Sequence, residues 1–215
     1  MAQTDNASRQ RILARIRTAL RERMVQPAPV PEKLIFPRVV DALDRFQKEC
    51  AINITECVVT SDLHARAAGI KGILASLPAG DIFVQDSPEL RRTATEFADG
   101  REIRWSSEGP PLESSQATIT ECEALVAQTG SVLVSAGCGG RGASIVAPVH
   151  IVVATIDQLV PDLDAALARV QSRGTVSANS YLCLITGSSR TADIEKILVM
   201  GAHGPRRLII FLSQS

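Results

Sequence analysis

Apolar residues along the chain fall into short runs that alternate with stretches of helical periodicity. Ile12, Leu13, Ile16, Ala19 and Leu20 share one helical face, with Arg9, Arg11, Arg15, Arg17, Arg21 and Arg23 placed around it, so a basic amphipathic helix is predicted over residues 8–23. Pro27, Pro29, Pro31 and Pro37 then crowd eleven residues, a density that breaks any helix and favours an extended linker. A helix is predicted at 39–49, with Val40, Leu43 and Phe46 on one side. Further on, the pattern predicts strands at 52–59, 81–85, 102–105, 131–136, 150–154, 181–186 and 207–212. Between them it predicts helices at 62–77, 88–98, 121–127, 162–171 and 191–200. Ser87-Pro88-Glu89 supplies a cap, a first-turn proline and an acid, while Thr120-Glu-Cys-Glu123 matches a capping box.

Strand–helix alternation of this kind specifies an α/β fold, a mainly parallel sheet flanked by helices, here with an N-terminal helical arm. Residues 1–37 form the arm and linker in this reading, and 38–215 form the α/β domain. Ligands in such sheets bind beyond the carboxyl ends of the strands, so the residues after each strand are the first place to look for chemistry.

At 215 residues the chain is long enough for one domain with an extension, and 45% apolar residues supply its core. Basic and acidic residues number 23 each, which removes the positive excess that nucleic-acid binding draws on. Aromatic residues at 3% leave no stacking platform for bases. The longest apolar run, 145–154, is shorter than the ~18 residues of a membrane span and carries Pro148 and His150. The polar start Met1-Ala-Gln-Thr-Asp-Asn6 lacks the apolar core of a secretory signal, so a cytoplasmic location is expected. Cys50, Cys57, Cys122, Cys138 and Cys183 are scattered and form no CxxC pair. They read as reduced thiols, with no metal site and no cluster of their own.

Two segments concentrate the candidate chemistry. The first runs from Gln128-Thr129-Gly130-Ser131 to His150, and its loop sets Gly137, Gly139, Gly140 and Gly142 around Arg141. Glycines let backbone amides approach an anion, and an arginine among them offers two parallel bonds to a carboxylate or phosphate. The same pattern also suits a turn with a solvated arginine. It is neither a P-loop nor a dinucleotide fingerprint, and no cofactor is expected. The second segment, Thr186-Gly187-Ser188-Ser189-Arg190-Thr191, leads from a strand into the predicted helix at 191–200, whose N-terminus suits anions; simple capping by Ser189 is the alternative. Since both segments follow strands, Arg141 and Ser189–Thr191 are expected to face one pocket. His150, inside an apolar strand, and His203, beside Gly201 and Pro205, are the candidate acid–base groups; a hydrogen-bonded core imidazole and a partner of the helix C-terminal dipole are the respective structural alternatives.

Together, Ala127-Gln-Thr-Gly-Ser-Val-Leu-Val-Ser, Arg141-Gly-Ala-Ser-Ile-Val-Ala-Pro-Val-His, Ile185-Thr-Gly-Ser-Ser-Arg-Thr-Ala-Asp-Ile-Glu and Gly201-Ala-His-Gly-Pro205 resemble the lactate-utilization protein C family (LutC/YkgG, LUD domain). The resemblance covers roughly residues 52–212. It implies a NagB/RpiA/CoA-transferase-like fold. It also implies a place in a bacterial three-protein system that oxidises L-lactate to pyruvate, with the iron–sulfur clusters on partner subunits. A small anionic ligand would then be held by Thr129, Gly130, Ser131, Arg141, Gly187, Ser188, Ser189, Arg190 and Thr191. Two motifs depart from the family pattern. Gln128-Thr-Gly-Ser131 replaces the more usual Glu-Thr-Gly-Thr, which removes a candidate nucleophilic glutamate, and Gly187-Ser188-Ser189-Arg190 replaces Gly-Pro-Ser-Arg. The competing readings on the same fold are a stand-alone acyl- or nucleotide-handling enzyme, similar to CoA-transferases or formyltetrahydrofolate cyclo-ligase, and a non-catalytic assembly subunit.

Overall fold

Short side chains set where the helices of this chain begin. The computed structural model describes residues 2–21, 37–191, 199–200 and 204–214, and the chain divides into two units, Met1–Pro37 and Arg38–Ser215. In the first unit, α1 (Ala2–Arg21) starts earlier than the predicted helix and leaves Ile12 and Ile16 exposed. In the second, α2 (Ala42–Ile52) is capped by Asp41, whose carboxylate accepts the Asp44 amide at 3.0 Å. This helix consumes the start of the strand predicted at 52–59. After a turn in which Ile54 takes a positive φ of 57°, β1 covers only Glu56–Thr60.

Asp62 caps α3 (Leu63–Ala75), β2 (Ile82–Val84) follows, and Ser87 with Pro88 opens α4 (Pro88–Phe97) as the sequence predicts. Next come β3 (Ile103–Trp105), β4 (Ala117–Thr120), β5 (Ala124–Val126), β6 (Ser131–Ser135), β7 (Val149–Thr155) and β8 (Leu159–Val160). Asp162 caps α5 (Leu163–Ser172). The chain continues with α6 (Thr175–Ala178), β9 (Leu182–Ile185), β10 (Arg190–Thr191), β11 (Val199–Met200) and β12 (Arg207–Ser213). Among the described residues no helix is long and apolar enough to cross a membrane.

Six strands form an all-parallel sheet in the order β1-β12-β7-β4-β2-β3. One face packs Ile82, Val84, Ile119, Ile151 and Phe211 against Ile70 and Leu74 of α3 and Leu90 and Phe97 of α4. The other face packs Val152, Ile210 and Leu212 against Phe46 of α2 and against Leu125, Val132 and Val134 of a second sheet. That second sheet, β8-β5-β6-β9, turns its far side to Ala166 and Val170 of α5. The fold is therefore α/β, a mainly parallel sheet flanked by helices.

Three expectations are corrected. The segment predicted as helix 121–127 is strand β5, because Leu125 and Ala124/Val126 alternate between two buried layers. The helix predicted over 191–200 does not form at its ends: Arg190–Thr191 pairs antiparallel with Val199–Met200, and 192–198 lie outside the described residues. The strands predicted at 131–136 and 181–186 become β6 and β9, which pair antiparallel in the second sheet and not in the main one.

Candidate functional site

The chain leaves β2 and β4 in opposite directions. From β2 it moves to the edge strand β3; from β4, on the other side of β2, it moves on to β7. Such a reversal opens a crevice at the carboxyl ends of the two strands. Gln85 follows β2 and Glu121 follows β4. The Glu121 amide donates to the Gln85 Oε1 at 2.8 Å, and Gln85 Nε2 donates back to Glu121 Oε2 at 3.3 Å. Ser87 Oγ donates to Glu121 Oε1 at 2.6 Å. A half-buried carboxylate is thus held by neutral donors at the switch point of the sheet.

The glycine loop lies over this point. Gly139 adopts a φ of 85°, and a Cβ there would stand 3.3 Å from Phe83 and 3.6 Å from Gln85, so only glycine lets the loop settle onto the end of β2. Glu123 anchors the loop from behind. Its carboxylate accepts Ser135 Oγ at 2.6 Å, the Cys138 thiol at 3.9 Å and Thr175 Oγ1 at 3.4 Å, while Ser135 Oγ accepts the Gly137 amide at 3.0 Å. Burial pushes the Cys138 thiol up to about 11, so it is a protonated neighbour and not a nucleophile at neutral pH.

Between this loop and residues 106–111 opens a cleft of about 350 Å³, lined by Ser106, Pro110, Pro111, Gly137, Gly140 and Arg141 among others. Its far wall is braced by Asp86, which accepts both Arg91 and the Ser107 hydroxyl. The Arg91 guanidinium also lies 4.3 Å over the Trp105 ring. The Arg91 bonds, followed by the Ser107 bond, hold the Asp86 carboxyl down at about 2. Arg141 is exposed at the mouth, with Nη2 donating to Ser180 Oγ at 2.8 Å and the guanidinium 6.0 Å from the Tyr181 ring.

The pocket expected to join Arg141 with Ser189–Thr191 does not form. Ser135 stands opposite Leu182 and Val132 opposite Ile185, so the loops after β6 and after β9 leave opposite ends of an antiparallel pair. The Ser131 hydroxyl bonds Thr129 and Thr186, each at 2.7 Å, at the end away from Arg141. Asn53 donates to the Thr129 carbonyl at 3.0 Å, and Gly130 passes under Glu49 and Cys50 with a φ of 64°. Gly187, φ 82°, passes under Asn53, and the Ser188 hydroxyl donates to the Ile54 carbonyl at 3.0 Å while accepting the Leu208 amide. The Ser189 amide donates to Pro205. These residues strap α2 and the start of β12 in place. Arg190 begins β10, the side chain of Thr191 is not described, and His203 lies outside the described residues.

His150 is 1% exposed between the layers. Its Nε2 pairs with Thr120 Oγ1 at 2.9 Å, its Nδ1 has no partner among the described residues, and burial lowers its pKa to about 4. It lies in β7 opposite Thr118 and is not among the residues that line the cleft. Glu121, Glu123 and Gln85 were not singled out as site residues from the sequence. Their signal was position alone: Gln85 and Glu121 come immediately after short buried strands, and Glu123 immediately before one. Among the described residues, no group of three or more His, Cys, Asp or Glu is arranged to hold a metal ion.

A parallel α/β sheet with a cleft over its switch point defines the class of this protein. Residues 87–213 match the LUD domain family model, and the chain belongs to that family. It is 26% identical to the lactate utilization protein C of Bacillus subtilis, over 90% of each chain. It is 32% identical to the lactate utilization protein C of Deinococcus radiodurans, over 47% of this chain and about half (48%) of that protein. The crystal structure of a DUF162 family protein from Deinococcus radiodurans superposes with a TM-score of 0.60 at 22% identity, covering 80% of this chain and 96% of that one, a likeness of fold.

Proposed function

We propose that this chain serves lactate utilization as a C-type component, binding a small 2-hydroxy or 2-oxo carboxylate in the Arg141 cleft and acting in the cytoplasm beside iron–sulfur subunits that carry the electrons. The observation behind this reading is the placement of one arginine, on a glycine loop, over the switch point of a parallel sheet. The names of the relatives supply the substrate class. A cleft of about 350 Å³ lies at the small end of ligand sites, ~300–1,000 Å³, and suits a compact acid. Arg141 supplies the positive charge and a two-pronged donor for the carboxylate. In this reading Thr129, Gly130, Ser131, Gly187 and Ser188 act as framework, and Glu121 with Gln85 supports the end of the sheet beneath the glycine loop.

Titration calorimetry with L-lactate and with pyruvate tests the proposal. Arg141→Lys keeps the charge but loses the fork, so affinity should fall about ten- to a hundredfold, the equivalent of 1.5–3 kcal/mol, with an unchanged melting curve. Equal affinities for wild type and Arg141→Lys, or no binding of either acid by the wild type, would sink it.

A further inference from the structure

The helix of the first unit carries an open apolar stripe between two rows of arginine. In α1, Ile12 is 57% exposed and Ile16, one turn on, is 49% exposed; Leu13 is partly covered and Ala19 is exposed. At about 100° per residue, the two sequence neighbours of Ile16 project to opposite flanks of that stripe. Arg15 stands with Arg11, one turn earlier, on one flank and Arg17 on the other, and all three are exposed. By spacing, Arg21 continues the Arg17 row.

Water is a poor surrounding for this helix on two counts. Its aliphatic stripe is bare, and like charges at i and i+4 repel, as Arg11 does Arg15. Between residues 8 and 21 the sequence holds five arginines and no acid to offset them. A second copy of α1 laid on the stripe would set arginine against arginine. The occupant that fits is apolar where it meets Ile12 and Ile16 and negative along both flanks at once.

We propose that α1 lies in the surface of an anionic phospholipid membrane, with Ile12, Leu13 and Ile16 among the upper acyl chains and Arg11, Arg15 and Arg17 on the phosphates. A layer of lipid phosphates is continuous, so it meets both arginine rows with no need of a partner shaped to their spacing. The long arginine stems lift the guanidinium groups from the level of the stripe to that of the headgroups. Anionic headgroups attract each arginine near the surface, and salt weakens the attraction. The stripe is short and flanked by charge, which holds the helix in the surface and not across it. An acidic protein groove is the competing occupant, and it would need two negative rims a helix width apart.

Sedimentation of the full-length chain with lipid vesicles tests the proposal. Binding to vesicles of phosphatidylglycerol and phosphatidylcholine in equal parts should be at least about tenfold tighter than to phosphatidylcholine alone, and added salt should release it. Glutamine is a good helix former, so it removes a contact and leaves α1 intact. Arg15→Gln with Arg17→Gln should weaken binding roughly thirtyfold, at about fivefold per arginine. Ile12→Gln with Ile16→Gln should weaken it at least about tenfold. No binding to the anionic vesicles, or equal binding to the neutral ones, would overturn the proposal. So would anionic binding that survives the isoleucine substitutions, since a helix held by charge alone does not enter the surface. Retention on immobilised poly-glutamate without binding to vesicles would assign α1 to an acidic protein instead.

Discussion

Gln85 and Glu121, the residues that follow two neighbouring parallel strands, are bonded to each other twice, amide to side chain at 2.8 Å and side chain to side chain at 3.3 Å. With Ser87 they close the end of the sheet beneath the glycine loop. Glu121 accepts from two donors, so Glu121→Gln sets an amide N–H against Ser87 or Gln85 and leaves a half-buried donor unmatched. A loss of about 1–3 kcal/mol is expected in urea unfolding. Gln85→Leu should cost a similar amount. The double variant should cost less than the sum of the two, by at least ~0.5 kcal/mol. Strict additivity would show that the pair is not coupled.

Two glycines should respond to alanine with opposite sign. At Gly187 the backbone has φ 82°, and a Cβ would lie 2.3 Å from the Asn53 carbonyl oxygen, which belongs to the backbone and cannot step aside. Gly187→Ala should lower stability by about 2–4 kcal/mol. Gly72, inside α3, has open space around its missing Cβ, and Gly72→Ala should gain about 0.5–1 kcal/mol of helix stability. Paired melting curves decide both.

Periodicity and caps made the helices of the main domain legible: Ser87-Pro88 marks the start of α4 to the residue, and Phe46 is buried in α2 as its position on the predicted face requires. Pairing direction was not legible, because nothing local to β6 or β9 records that they run antiparallel, and the expected common pocket failed on that point alone. Thr120-Glu-Cys-Glu123 matched a helix cap, yet its side chains serve distant partners: Thr120 meets His150, Glu121 meets Ser87, and Glu123 meets Ser135. Capping boxes are defined by local bonds, whereas these three residues spend their side-chain polar atoms across the fold. Arg141 and its glycines were read correctly as a loop after a strand, while Gln85 carried no local mark of its role.

Stability should fall with acid through one buried imidazole. Burial lowers the pKa of His150 to about 4 from an ordinary value near 6.5, so the unfolded chain takes up a proton at a pH where the folded chain does not. The contribution is complete above pH ~6.5 and is lost as pH falls toward about 4, by an amount on the order of 3 kcal/mol. His150→Leu should flatten the unfolding free energy across that window relative to wild type. An unchanged slope would place the acid sensitivity elsewhere.

Arg66 and Glu89 should behave asymmetrically when separated. The guanidinium is 1% exposed, bonded to the Glu89 carboxylate and, at 3.4 Å, to Ser213 Oγ, whereas the Glu89 side chain is 32% exposed. Removing the acid strands a positive charge where water does not reach, and Glu89→Ala should cost about 3 kcal/mol. Removing the base leaves an acid that can turn to solvent, and methionine refills the volume of the arginine stem, so Arg66→Met should cost only about 1–2 kcal/mol. Denaturant midpoints for the two variants at neutral pH test the order. Equal losses would mean that the Arg66 stem, and not its charge, holds α3 against α4.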